Sequence, residues 1–271
     1  MNKGKQKVLP FSKDDSSHGQ IIPTKELEMY LQPQIEVETG KVVSAEALVR
    51  WRHPDGHLVY PDEFIPAMER DGSIEALDFF MLECACKRLR QWYEESRDVV
   101  PIAVNQSQIY LGGAGYVQRI REVIEKWDIN PKDLVLEFTE SALCKEEVCL
   151  ARTAEMLHNI GLRLAIDDFG VGYSSMMQLK NIAVDIVKLD RSFLVQTERN
   201  HLDCILLEKT LELVHALGVT TLCEGVERPE QDILLRKLGC NLAQGYLYGK
   251  PMLVEQFEKE CLIQQQICAA L

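Results

Sequence analysis

The stretch 159-NIGLRLAIDDFG-170 carries the pattern from which the architecture can be predicted. Gly161 can supply the left-handed backbone conformation that commonly ends a helix. The apolar residues after it predict a strand over 162–167, and Asp167 and Asp168 stand where that strand ends. The stretch therefore predicts a unit in which a helix, a glycine and a strand lead to carboxylates.

Two later segments repeat this design, which indicates that the units belong to one architecture. Gly218 is followed by a short apolar strand that ends at Glu224, and Gly239 by one that ends at Gln244. Repeated units in which helices alternate with strands are typical of α/β folds.

The whole chain contains eight candidate strands, several of them almost wholly apolar, as expected for strands buried on both faces of a parallel sheet. The candidate strands are 27–36, 42–51, 101–106, 134–139, 162–167, 186–190, 220–224 and 242–248. Residues 117–127 between two of them have apolar side chains at helical spacing. Eight strands that alternate with helices favour a (β/α)8 TIM-type barrel, whose chemistry gathers at the carboxyl ends of the strands. A doubly wound open sheet is the alternative.

The domain organisation follows from where the pattern begins. Residues 1–22 are polar and lack periodicity, so we predict a flexible N-terminal tail followed by one domain over 23–271. No targeting segment or apolar run long enough to cross a bilayer is present. The nine cysteines include no CxxC pair, which favours a reduced, cytoplasmic location over disulfides or zinc.

The acidic balance of the 271 residues limits the classes of partner. A formal net charge of -12 argues against a DNA- or RNA-polymer binder, because such proteins hold phosphates on a basic face. His53 and His57 are four residues apart, a spacing that suits a metal on a helix. Because Pro54, Asp55 and Gly56 predict a turn between them, we interpret them as surface histidines.

Polar residues stand within or at the ends of most of the candidate strands. The set is Glu46, Asn105, Glu137, Asp167, Asp168, Lys188, Glu224 and Gln244. One such carboxylate could belong to a structural ion pair, but several that converge on one barrel mouth would repel one another without divalent cations. Carboxylate and amide oxygens suit Mg²⁺ or Mn²⁺, and paired metals are the usual means of in-line attack of water on a phosphodiester. Lys188 would orient or deprotonate the water, or offset negative charge on the phosphoryl group.

The ordered motifs of this chain resemble those of EAL-domain cyclic di-GMP phosphodiesterases over about residues 24–260. The matching motifs are Gln32-Pro33, Glu46-Ala47-Leu48, Asn105 in VNQS, Glu137-Phe138-Thr139-Glu140, Asp167-Asp168-Phe169-Gly170, Lys188 in VKLDRSF, Glu224-Gly225-Val226-Glu227 and Gln244-Gly245-Tyr246. The tripeptide Glu-Ala-Leu also occurs at 75–77, but that copy lacks the RW that follows the first one, and we interpret it as a chance match on a helix.

The resemblance implies a role for each matching residue. It implies that Glu46, Asn105, Glu137 and Asp167 hold one Mg²⁺ or Mn²⁺, and that Asp167, Asp168 and Glu224 hold a second. Lys188 or Glu224 would activate the water, with Glu46 also counted among the catalytic residues. Glu140 would support the loop after Asp168, and Glu227 would assist the metal ligands. Gln32, Leu48, Arg50 and Gln244 would contact substrate or water.

The resemblance also implies a barrel whose first strand is antiparallel, a homodimer, and hydrolysis of cyclic di-GMP to linear pGpG. A catalytically silent EAL module that binds cyclic di-GMP or a protein is the main alternative. Such modules usually lack ligands, whereas every ligand position is filled here. Another divalent-metal barrel hydrolase or an enolase-like lyase is a third possibility, which the RW, DDFG and EGVE motifs do not favour.

Overall fold

The computed structural model describes residues 8–11, 20–107, 115–140, 147–171, 179–195 and 201–263. Twelve strands lie in these ranges: β1 (Val8–Phe11), β2 (Gln20–Pro23), β3 (Leu27–Glu36), β4 (Val42–Arg52), β5 (Leu58–Val59), β6 (Ile102–Asn105), β7 (Leu134–Thr139), β8 (Arg163–Phe169), β9 (Ile186–Leu189), β10 (Thr220–Cys223), β11 (Leu242–Gln244) and β12 (Met252–Leu253).

The helices of the described ranges alternate with the later strands. They are α1 (Pro61–Asp71), α2 (Ile74–Glu94), α3 (Tyr116–Trp127), α4 (Glu147–Asn159), α5 (Ser192–Val195), α6 (His201–Ala216), α7 (Pro229–Leu238) and α8 (Val254–Phe257). Single 3-10 turns cover Thr24–Glu26 and Pro131–Asp133, and a π-helical segment covers Glu258–Ile263. None of the helices in the described ranges is both long and apolar enough to cross a membrane.

Eight of the strands close into a barrel in the order β3-β4-β6-β7-β8-β9-β10-β11, and β11 pairs with β3 to complete the ring. β3 is antiparallel to both of its ring neighbours, β4 and β11, whereas the other neighbouring pairs are parallel. The prediction of a (β/α)8 barrel with an antiparallel first strand is confirmed, and the open sheet is excluded. The two-residue strands β5 and β12 extend the edges of β4 and β3.

The N-terminal segment contains one element of regular structure. Within residues 1–22, for which we predicted a flexible tail, β1 pairs antiparallel with β2, from Val8 opposite Pro23 to Phe11 opposite Gln20. The apolar runs of these strands are only about three residues long, too short for their alternation to be recognised in the sequence. Pairing satisfies the backbone groups that each short strand would otherwise leave open.

Glycines end the helices where the sequence predicted it. Gly161, Gly218 and Gly239 have φ values of 90°, 75° and 74°. These values lie in the left-handed region, where a glycine avoids the steric cost of a Cβ. Each glycine therefore turns the chain from the end of a helix into the next barrel strand.

The barrel strands separate two apolar layers. Outward side chains such as Val104, Leu136 and Ile166 pack with the helices in the main core. A second, smaller group fills the inside of the barrel and consists of Ala103, Val135, Ala165, Ile186 and Leu222, with Leu242 packed against it. We call this inner group the barrel floor, and the site described next lies directly above it.

Candidate active site

The alternation of side chains along a strand places the predicted site residues together on the barrel floor. Residues two positions apart in a strand face the same side of the sheet. Each floor residue is followed two positions later by a polar residue of the predicted site. These polar residues are Asn105, Glu137, Asp167, Lys188, Glu224 and, after Leu242, Gln244. The polar layer therefore follows from the register of six neighbouring strands.

Lys188 stands at the centre of this layer and is fully buried. Its Nζ lies 2.7 Å from Glu137 Oε2, 2.9 Å from Glu224 Oε1, 3.0 Å from Asp167 Oδ1 and 3.5 Å from Glu46 Oε2. A buried ammonium needs paired charges, because removal from water costs several kcal/mol per ion. Four carboxylates from four strands converge on this one cation.

The ionisation of the cluster reflects its burial and its excess of negative charge. Burial acts to lower the pKa of Lys188, but the carboxylates of Asp167, Glu137, Glu224 and Glu46 outweigh it and hold that pKa well above its ordinary value. Burial raises the pKa of Glu137 well above its usual range, and it raises the pKa of Glu224 to about 8. Glu137 and Glu224 therefore hold a proton more tightly than free carboxyl groups do, and a bound cation would compete with that proton.

Asp167 and Asp168 are consecutive, yet both contribute to the same cluster. In a regular strand their side chains would face opposite sides of the sheet. The pairing of β8 with β9 is irregular between Ile166 and Phe169, and Asp168 has a φ of 56°. This bulge re-aims the chain, so that Asp168 joins Asp167 and Glu224 at the barrel mouth.

Two groups of carboxylates have the spacing that a metal ion requires. One comprises Glu46, Glu137 and Asp167, and the other comprises Asp167, Asp168 and Glu224; within each group, one oxygen per residue lies within 4.8 Å of the others. Asp167 belongs to both groups. Asn105 donates from Nδ2 to Glu46 Oε1 over 3.0 Å, which places its amide beside the first group. The all-oxygen donor set fits hard divalent cations.

A chain of amides holds Gln244 and Glu46 in place. Gln244 Nε2 donates to Glu46 Oε2 over 2.6 Å and to Gln32 Oε1 over 3.0 Å. Gln34, a residue that the sequence did not single out, donates to Gln244 Oε1 over 2.9 Å. Glu46 thus accepts amide N–H groups at both of its carboxylate oxygens.

A cavity of about 320 Å³ opens above the cluster. Of the residues singled out from the sequence, it is lined by Gln32, Glu46, Leu48, Asp167, Glu224, Glu227 and Gln244. Glu227 lies exposed at its rim. Asp190, Arg191 and Tyr246 also line the cavity, and the sequence analysis assigned them no role. Asp190 follows the last residue of β9, so the rule that strand ends carry site residues could have found it.

Arg50 lies apart from this cavity lining. Its guanidinium is centred 5.7 Å from the ring of Tyr30 and 5.1 Å from that of Tyr60, and Nη1 donates to Val49 O over 2.8 Å. Burial lowers the pKa of Arg50 from its ordinary value, against the opposing influence of the two tyrosines. The side chain is thus held between aromatic faces and makes no carboxylate ion pair among the described residues.

Glu140 contacts the start of the loop after β8. Its Oε2 accepts the backbone N–H of Gly170 over 2.9 Å, and its side chain is buried. Gly170 has a φ of 99°, and a Cβ there would collide with the ring of Phe193. The hydrogen bond to Glu140 and the close approach of Phe193 fix the chain directly after Asp167 and Asp168. Residues 172–178 of the same loop lie outside the described residues.

Comparison with known proteins identifies the family. The family model described as "EAL domain" matches residues 19–251. Among curated proteins, the chain is 35% identical over 240 residues to the cyclic di-GMP phosphodiesterase NbdA of Pseudomonas aeruginosa, covering 89% of this chain and 31% of that protein. It is 33% identical over 237 residues to the bifunctional diguanylate cyclase/cyclic di-GMP phosphodiesterase MucR of the same organism, covering 88% and 35%. The chain thus spans about a third of the length of these relatives.

Solved structures give the same result. A structure of the PaMucR phosphodiesterase in complex with c-di-GMP has a TM-score of 0.82 and 33% sequence identity, and the match covers 86% of this chain and 95% of that one. The EAL enzyme Bd1971, in a form bound to cAMP and cyclic-di-GMP, has a TM-score of 0.81 and 27% identity over 87% of this chain and 65% of that one. With its barrel, its ordered motifs and a family match over most of its length, this chain belongs to the EAL domain family.

Proposed function

We propose that this chain hydrolyses one phosphodiester bond of cyclic di-GMP and releases linear pGpG, with two Mg²⁺ or Mn²⁺ ions at the barrel mouth. The observation that carries the proposal is the pair of carboxylate groups that share Asp167 beneath an open cavity. The relatives named as cyclic di-GMP phosphodiesterases, and the relative solved with c-di-GMP, support this substrate.

The formal charge of the cluster supports the number of ions. Glu46, Glu137, Asp167, Asp168 and Glu224 together with Lys188 carry a formal charge of -4, which two divalent cations would cancel. Glu46, Asn105, Glu137 and Asp167 would hold one ion, and Asp167, Asp168 and Glu224 the other. When bound, such cations supply Lewis-acid stabilisation of the phosphodiester and make water at the site more acidic.

The chain's own residues would orient the water, accept its proton and hold the carboxylates in place. The ammonium of Lys188 is a hydrogen-bond donor in this arrangement, so it can orient a water molecule and offset negative charge. Glu224 lines the cavity and carries a partly accessible carboxylate, so we assign it as the acceptor of the water's proton. The amides of Gln32 and Gln244 hold Glu46 in orientation, and Leu48 provides an apolar contact at the wall.

Arg50 would bind a phosphate of the substrate. It is held between Tyr30 and Tyr60 with no carboxylate partner among the described residues, so its charge remains available to an anion. Tyr246, which lines the cavity, opposes the lowering of the pKa of Arg50.

We further propose that two copies of the chain associate through α6. Leu206 and Leu213 are exposed on this helix, while Leu207, Leu211 and Val214 are buried beneath it. A helix with apolar residues on both faces is typical of a buried position. Pairing of two α6 helices about a two-fold axis would cover the outer face. A cytoplasmic location fits the unpaired cysteines of the described residues.

An activity assay tests the proposed reaction. Pure protein is incubated with cyclic di-GMP in Mg²⁺ or Mn²⁺, and the products are separated by chromatography. We expect pGpG to form with either metal and not in the presence of a chelator. Absence of turnover at protein concentrations that permit dimers would contradict the proposal, and retained binding of the nucleotide would then favour the silent receptor.

A further inference from the structure

The turn between β4 and β5 brings two histidines together. β4 and β5 pair through Arg52 and Leu58, so His53 and His57 form the next pair across the hairpin. His53 N–H donates to His57 O over 3.0 Å, and Gly56 N–H donates to His53 O over 2.8 Å, which closes the turn tightly. Side chains of such a cross-strand pair stand next to each other on one face.

The side chains of this turn converge on a single carboxylate oxygen. The imidazole rings are stacked with their centroids 4.7 Å apart and their planes at 28°. Asp55 Oδ1 lies 3.1 Å from His53 Nδ1 and 2.5 Å from His57 Nδ1. The backbone N–H of His57 donates to the same oxygen over 3.1 Å and helps to hold the pKa of Asp55 at about 2. The carboxylate is therefore charged at neutral pH.

His53 Nδ1 has no hydrogen-bond partner among the described residues. His53 Nδ1 is buried from solvent, and its contact with Asp55 lies outside hydrogen-bond geometry. A buried polar atom without a hydrogen bond is unfavourable, because it is desolvated and no protein group replaces the hydrogen bond to water. A cation bound between the two rings would give this nitrogen a partner.

We propose that His53, Asp55 and His57 form a second cation site, which takes a borderline transition-metal ion such as Zn²⁺. One ligand atom from each residue lies within 4.8 Å of the other two, a spacing that one ion can bridge after small side-chain rotations. Two imidazoles and a carboxylate are a donor set that suits zinc, unlike the all-oxygen set of the barrel mouth. The exposed side leaves room for water to complete the coordination, so the affinity is moderate.

A metal ion at this turn would also affect the strand and the segment next to it. β4 carries Glu46 and Arg50, and Tyr60, whose ring packs against Arg50, follows β5 directly. A metal ion at the turn would fix the end of this strand and the segment that leads to α1. The site itself does not depend on the proposed hydrolysis of cyclic di-GMP.

Zinc titration of the full chain in excess Mg²⁺ tests the site, because Mg²⁺ would compete with zinc for the carboxylates of the barrel mouth. Calorimetry is compared for the parent protein, His57→Ala, Asp55→Asn and the control His201→Ala, which removes an exposed histidine elsewhere. We expect His57→Ala to weaken one zinc-binding event by about tenfold or more, Asp55→Asn to weaken it less, and His201→Ala to leave it unchanged.

A second measurement follows the ring signals of the six histidines by NMR in the parent protein, so that the result does not depend on a variant. The signals of His53 and His57 should shift together as zinc is added, before those of the other histidines. Equal zinc affinity and stoichiometry in the parent and in His57→Ala would overturn the proposal, as would unchanged signals of both rings.

Discussion

The chain contains the tripeptide Glu-Ala-Leu twice, and the two copies have opposite environments. In the first, on β4, Glu46 is buried and contacts Lys188, Asn105 and Gln244. In the second, on α2, Glu75 lies near the surface with a third of its side chain exposed and pairs with Arg119. Three identical letters thus contribute to a charged cluster in one place and to a surface ion pair in the other.

The secondary structure around each copy explains the difference. On a strand, residues 46 and 48 face the same side, so Glu46 and Leu48 both reach the barrel mouth. On a helix, successive residues are rotated by about 100°. Leu77 therefore enters the core while Glu75 stays at the surface. The tripeptide has no functional meaning alone; the strand and the residues opposite it provide that meaning.

The largest expected effect is on catalysis, and it should separate the two copies. Glu46→Gln removes a charged oxygen donor from the cluster, and we expect hydrolysis of cyclic di-GMP to fall about a thousandfold. Glu75→Gln, the same change in the second copy, should leave the rate within about twofold, because the pair with Arg119 is far from the mouth. Initial rates of pGpG formation in Mg²⁺ measure both. Similar losses in the two variants would mean that the comparison is wrong.

The basic side chains that pair with the two glutamates, Lys188 with Glu46 and Arg119 with Glu75, provide the second test. Lys188→Met leaves four carboxylates, two of them buried, without their ammonium, and we expect the free energy of unfolding to fall by about 3–5 kcal/mol in a chelator. The loss should be smaller in Mg²⁺, since bound cations replace the missing charge. Arg119→Met should cost about 1 kcal/mol or less, the value of a surface pair.

Urea unfolding of both variants, with chelator and with Mg²⁺, measures these differences. The parent protein under the same two conditions is the reference. If Lys188→Met lost the same stability with and without Mg²⁺, the carboxylates around it would not be the place where the cations bind.

Most of the fold was predictable because it repeats. Buried strands, glycines with positive φ and polar residues at strand ends recur along the chain, and each signal can be recognised within about ten residues. The strand boundaries at 27–36 and 134–139 are confirmed to the residue. The order of the strands in the ring follows from the same repetition, because consecutive β/α units place their strands side by side.

The features that the sequence did not predict depend on single contacts. The pairing of β1 with β2 rests on runs too short to show a period. Nothing in the sequence revealed that Gln34 would hold Gln244, or that Arg191 would reach the mouth. The likeness to known relatives indicated which residues gather, whereas the bulge at Asp168 that gathers them is visible only in the structure.

The third prediction concerns Asp78, which follows the second tripeptide directly. Burial raises its pKa to about 7, and its Oδ2 accepts the backbone N–H of Ser107 over 2.7 Å. A folded-state pKa above the unfolded value means that the native state binds the proton more tightly. The stability from this group is thus complete below about pH 4 and is lost as the pH rises to about 7.

Asp78→Asn should remove this pH dependence. Asparagine keeps an oxygen for Ser107 but cannot ionise, so stability at pH 8 should rise by about 2 kcal/mol, with little change at pH 4. Thermal unfolding at both pH values measures the effect, and Glu75→Gln on the same helix is the matched control. An equal change of the unfolding temperature at both pH values would show that folding does not raise the pKa of Asp78.

The smallest expected difference lies within the first copy's own cluster and tests whether it holds two ions. Asp167 belongs to both carboxylate groups, whereas Asp168 belongs to one. Asp167→Asn should therefore weaken both sites and lower activity about tenfold more than Asp168→Asn. The two residues are adjacent and the changes are chemically identical, so general loss of charge cannot explain a difference. Titration with Mn²⁺ should show one strong ion remaining in Asp168→Asn and none in Asp167→Asn. Equal activities with equal numbers of bound ions would exclude Asp167 as the shared ligand and leave the two groups as separate sites.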